Sequence, residues 1–90
     1  MYNPWITIGG ITKSLSWTSS GASDTVTLPK YMVDKNYIVN ATMMEGTLNW
    51  NNPGCRAFPI DNHRISIGVA TMSGSQGSVK CCWLVMGYVA

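Results

Sequence analysis

The closing stretch Val79-Lys80-Cys81-Cys82-Trp83-Leu84-Val85-Met86-Gly87-Tyr88 decides the fold class. Taken with the two-residue period of a strand, Cys81, Trp83 and Val85 fall on one side, and Cys82, Leu84, Met86 and Tyr88 on the other. Both sides are apolar. Such a strand either lies at the centre of a sheet or presses one face against a partner.

Working back toward the N-terminus, Ser73 to Ser78 reads as a turn and Arg64 to Met72 as a strand with Ile65, Ile67 and Val69 inward. Asn36 to Met44 reads as a strand, with Tyr37, Val39, Ala41 and Met43 on one side and Ile38, Asn40, Thr42 and Met44 on the other. Thr25 to Leu28 is a short strand closed by Pro29, which cannot donate to a ladder. Thr18 to Asp24 is small and polar, as in an exposed loop, and Glu45 to Arg64 is irregular. Gly9-Gly10 reads as a turn between an opening segment, Trp5 to Ile8, and a strand in which Ile11, Lys13, Leu15 and Trp17 share a face. A 3.6-residue apolar repeat is missing throughout, so helix is limited to a turn near Tyr31-Met32. The expectation is an all-β single domain over residues 1–90, a small antiparallel β-sandwich of about six strands.

Composition narrows the function classes. The 90 residues are 46% hydrophobic, yet only 11% are charged, with a net charge of +2. Soluble domains average roughly 25% charged residues, and a chain this short buries only about 60 to 65% of its unfolded surface. The apolar surplus needs a second outlet. A spanning helix would require about 20 consecutive apolar residues, and no stretch approaches that. Burial against copies of itself is therefore the expected outlet. Electrostatic capture of nucleic acid has little to work with, since Lys and Arg form no run.

Catalytic and metal chemistry find few ingredients. Cys55, Cys81 and Cys82 are an odd set with no C-x-x-C spacing, which reads as free thiols in a reducing compartment and gives no metal site. Cys81 and Cys82 point to opposite faces of a strand, so they do not bridge each other. The only histidine is His63, and nucleophilic catalysis would have to use Cys55, His63 and Asp61, but Pro53, Gly54 and Arg56 build no recognisable nucleophile turn around Cys55. Asp24, Asp34, Glu45 and Asp61 are the whole carboxylate stock, and nothing in the sequence pairs two of them for glycosidase work. Asn40-Ala41-Thr42 has the form of a glycosylation acceptor but lies within a strand and without a secretory signal. No catalytic residue and no cofactor are expected.

A recognition surface remains. Sugars present hydroxyls at their edges and C–H groups on their faces, so their sites combine planar hydrogen-bonding side chains with an aromatic ring. Asn49, Trp50, Asn51, Asn52, Arg56, Asp61, His63 and Arg64 supply these groups in one region and are the candidate ligand-binding residues. Trp50 could equally be a core or interface ring, and the asparagines simple turn formers.

Three stretches carry a family likeness: Gly10-Ile11 through Trp17; Thr25-Val26-Thr27-Leu28-Pro29 with Tyr31 and Tyr37-Ile38-Val39; and the closing Trp83 through Gly87-Tyr88. In this order the chain resembles the C-terminal tip domains of bacteriophage tail fibres, whose fold is similar to H-type lectins. Tyr31 stands where that group usually has Phe, Cys81-Cys82 is unusual before the Trp, and Glu45 to Arg64 aligns with nothing, so no ligand residue is carried over. The resemblance implies a homotrimer at the distal end of the fibre on the virion, and a domain that is part of a longer fibre protein. It also implies non-catalytic attachment to a bacterial surface receptor, either lipopolysaccharide or another glycan, or an outer-membrane protein. The alternative is a structural cap that sets trimer register while recognition is made elsewhere.

Overall fold

A computed structural model describes residues 3–18, 21–46, 55–69 and 77–90. The strands are β1 (Trp5–Ile11), β2 (Leu15–Trp17), β3 (Ala22–Thr27), β4 (Ile38–Gly46), β5 (Cys55–Pro59), β6 (Arg64–Val69) and β7 (Gly77–Tyr88). The described residues thus hold seven strands, in keeping with an expectation of about six, and none of these residues is helical. Two antiparallel sheets result, compatible with a small β-sandwich. In the first, β7 is central: β4 pairs along one edge, from Ile38↔Met86 to Gly46↔Val79, with Met44 bulged out of the ladder. Along the other edge lie β1, from Trp5↔Tyr88 to Ile11↔Cys82, and then β2, from Leu15↔Val79 to Trp17↔Gly77. The second sheet runs β3-β6-β5.

The inward set of β7, Val79, Cys81, Trp83 and Val85, is buried with Leu15 and Trp17 and with Ile65, Ile67 and Val69 of β6 in a single core. The two-sided apolar strand is therefore central, as its pattern allowed.

Several expectations are corrected. Gly9-Gly10 is not a turn: both lie inside β1. A Cβ on Gly10 would sit 2.6 Å from Cε2 of Trp83, so the glycine lets the indole press against the β1 backbone. Gly10→Ala is expected to destabilise by about 1 to 3 kcal/mol through overpacking in urea denaturation. Gly9→Ala, whose Cβ would stand 3.6 Å from its nearest neighbours, should stay within about 0.5 kcal/mol of the parent. If the two variants are equally stable, the Trp83 contact is not the reason for the glycine.

Nor does residue 11 to 17 form one strand with one face. Ile11 is 59% exposed while Thr12, Leu15 and Trp17 are buried. At the break Thr12 N donates to Cys81 O (2.9 Å), and Cys81 N donates to the Thr12 hydroxyl (3.0 Å). The side chain thus supplies the acceptor that the backbone would have given, and the chain turns its other side inward. The segment expected as a loop over Thr18 to Asp24 already belongs in part to β3, which Gly21 enters at φ 85° with its N donating to Thr18 O (2.9 Å). Likewise β5 forms within the stretch expected to be irregular. The strand expected from Asn36 begins at Ile38, and that expected to Met72 is described as far as Val69. Met32 makes a bridge to Val89 rather than a helical turn. Residues 73–76 of the expected turn lie outside the described residues, and Gly77 and Ser78 open β7.

The thiol reading also changes. Cys55 and Cys81 form a disulfide and Cys82 stays free. Cys81 points into the sandwich from the first sheet and Cys55 comes from the second, with Cα atoms 6.5 Å apart, inside the usual bridging range. Cys82 is on the opposite side of β7, as the strand period requires.

Candidate recognition site

Pro59 ends β5, and the turn back into β6 is organised by Asp61. Its Oδ1 accepts from His63 N (2.8 Å) and Arg64 N (2.8 Å), the local pattern that makes Asp a turn former. Its Oδ2 accepts from Arg64 Nε (2.9 Å) and faces Arg64 Nη2 at 2.7 Å. The His63 and Arg64 donors hold this carboxyl below its ordinary value of 3.8. Because the folded value is depressed, these bonds are in place above the ordinary carboxylate range and are lost as pH falls through the folded value.

The turn is tied to the core at several points. The Tyr37 hydroxyl donates to Asp61 O (2.7 Å), with Arg64 O 3.1 Å away. Burial, and then the charge of Asp61, push the Tyr37 phenol above its ordinary 10.0, so it stays protonated as a donor. Met32 N donates to Asn62 O (2.7 Å), Asn62 Nδ2 to Met32 O (3.0 Å), and Leu28 N to His63 O (2.7 Å). These bonds strap residues 28–32 against the turn.

That strap brings Tyr31 onto His63. The two rings stack at 3.7 Å between centroids and 8° between planes, and Tyr31 is 59% exposed. His63 Nδ1 lies 3.2 Å from Lys30 O, and a carbonyl only accepts, so this nitrogen donates to it and Nε2 is left to face a ligand. The surface therefore shows an aromatic face, an imidazole, and an Arg64 guanidinium whose side chain is 50% exposed. It can stack on an apolar face and hydrogen-bond in a plane. Asp61, already accepting from three donor groups and lowered in pKa, is a poor proton acceptor.

Of the residues singled out in the sequence, Asp61, His63 and Arg64 come together here. Arg56 does not: it lies on β5 opposite Gly68, four positions along β6 from Arg64, or about 13 Å away at 3.3 Å per residue. Asn49, Trp50, Asn51 and Asn52 lie outside the described residues. The Cys55, His63, Asp61 arrangement is not assembled, because Cys55 is bonded to Cys81 at the far end of the β5–β6 hairpin. Tyr31 was missed as a site residue. Its neighbours in sequence say nothing of His63, and only the strap joins them. No family model, curated protein or solved structure matches the chain.

Proposed function

We propose that this domain is the non-catalytic receptor-binding tip of a bacteriophage tail fibre, attaching the virion to a bacterial surface glycan and assembling as a homotrimer. The observation that carries the reading is the pinned turn: a stacked Tyr31–His63 pair with an exposed ring, beside a guanidinium oriented by Asp61. Rings and planar hydrogen-bonding groups held by a rigid scaffold suit a sugar's apolar face and its hydroxyl edge. Three weak sites on one fibre would act together through avidity.

Tyr31→Ala is expected to leave the fold intact, since the ring is exposed and Tyr31 serves the backbone only through its carbonyl, which accepts from Ala90 N (2.9 Å). Adsorption to host cells should weaken at least about tenfold, equivalent to about 1.4 kcal/mol in total over the linked sites. A variant that adsorbs as the parent does removes the turn from recognition.

A second reading, the structural trimer cap, is favoured by the outward face of the first sheet. Trp5, Ile11, Ile38, Met44, Leu84 and Tyr88 are all substantially exposed there. Among the described side chains of these strands, Lys80 is the one charged group turned outward. Deleting the domain separates the two roles. Loss of a cap leaves a misassembled shaft, whereas loss of a recognition module leaves a well-formed fibre that does not adsorb.

A further inference from the structure

Away from the turn, the outward face of the β3-β6-β5 sheet holds an open groove of about 790 Å³, lined chiefly by Ser23, Arg56, Phe58, Ser66 and Gly68. The register explains its shape. Ser23, Gly68 and Arg56 form one row across the sheet, and Thr25, Ser66 and Phe58 the next. The central strand contributes only a glycine and a serine to the floor. Small hydroxyl side chains of β3 make one wall, and Arg56 with the 60% exposed ring of Phe58 makes the other. The flanking strands are about 9.6 Å apart, two strand spacings, which is wide enough for one saturated six-membered ring.

Gly68 is the informative residue. A glycine within a strand weakens it and is normally retained for a left-handed φ or a close approach. Gly68 has neither. Gly21 is the only glycine with positive φ among the described residues, and a Cβ on Gly68 would meet its nearest atoms, Ala22 O and Ser23 Cβ, at 3.5 and 3.9 Å. These are ordinary contacts. Gly10 and Gly87, by contrast, are each crowded by a neighbouring side chain. Packing therefore does not account for Gly68, whereas an open floor does.

We propose that this groove binds an acidic sugar unit, with the C–H face of the ring on Phe58, the ring hydroxyls on Ser23 and Ser66, and the carboxylate on Arg56. Among the described residues of the lining Arg56 is the only charged group, which selects an anion, and a guanidinium matches a carboxylate with two parallel N–H donors. The inference rests on the recognition reading for the source of the ligand and on the groove's own chemistry for its class.

The test is a titration of the intact domain, followed by backbone amide resonances, with methyl β-D-glucuronide and with its neutral counterpart methyl β-D-glucoside. Glucuronide should shift the amides of Ser23, Arg56, Phe58, Ser66 and Gly68. Gly68→Thr puts a strand-favouring side chain on the floor, so it should fold at least as well as the parent while glucuronide affinity falls at least tenfold. Arg56→Gln should bring glucuronide down to the level of glucoside. The inference is overturned if glucuronide leaves these amides unmoved, or if Gly68→Thr binds it as the parent does. Host-cell adsorption that persists in that case, and stays sensitive to Tyr31→Ala, leaves the recognition reading standing. Loss of both removes both.

Discussion

Reduction of the Cys55–Cys81 disulfide is expected to lower the stability of the domain by about 3.5 kcal/mol, the chain-entropy value for a closed loop of 26 residues. A domain of 90 residues has a total of only about 5 to 13 kcal/mol, so the bond accounts for a quarter or more of it. Thermal unfolding should therefore begin roughly 15 °C lower in reductant. The effect is large because the bond joins β5 of one sheet to β7 of the other, constraining a chain whose size limits its core. Cys55→Ser should reproduce the loss without reductant. Alkylation with mass spectrometry checks the pairing: denatured, unreduced protein should take up one equivalent at Cys82, and reduced protein three. Three equivalents without reduction would refute the bond. Its persistence also requires oxidising surroundings, contrary to the reducing compartment suggested by the odd cysteine count.

The second large effect is expected at Leu84, in the middle of the outward face of the first sheet. There it lies between Asn40 of β4 and Gly9 of β1, 38% exposed. The face, about 40 Å along β7 and about 14 Å across three strands, offers roughly 500 Å² per copy. Three such faces turned toward a common axis together bury roughly 1,500 Å², above the roughly 1,000 Å² that a specific interface needs. Leu84→Lys would bury an unpaired charge at the centre of that contact, a loss of about 3 to 5 kcal/mol. Association should weaken by a factor of about 100 or more. Sedimentation velocity at micromolar concentration should show trimer for the parent and monomer for the variant, with unchanged far-UV circular dichroism. Survival of the trimer would place the interface elsewhere, and a monomeric parent would remove the self-assembly reading.

How much of this could be read without the fold differs from element to element. The β7 pattern was legible because alternation is a local property of the strand backbone: each residue's face follows from its neighbour's. The same rule failed between Ile11 and Leu15, where Thr12 spends its hydroxyl on Cys81 N and resets the phase. It failed again at Gly9-Gly10, where glycine makes room for an indole far along the chain rather than a turn. In the candidate site, Asp61, His63 and Arg64 were legible as candidates because they are polar and close in sequence, whereas the turn that Asp61 builds by bonding His63 N and Arg64 N lay in a stretch read as irregular. Tyr31 and Phe58 were not legible, because their significance depends on partners brought by register.

By itself, then, the sequence determined the strand class, the central place open to β7, the shortage of charge and the cluster of polar candidates Asp61, His63 and Arg64. All of these follow from composition or from contacts within a few residues. Only the tertiary structure decided which cysteine meets which, that Tyr31 covers His63, that Arg56 stands apart from Arg64, and that Gly68 leaves a floor open between two walls. Each depends on which strands lie side by side and which sheet faces which, and a two-residue period carries no information about that pairing.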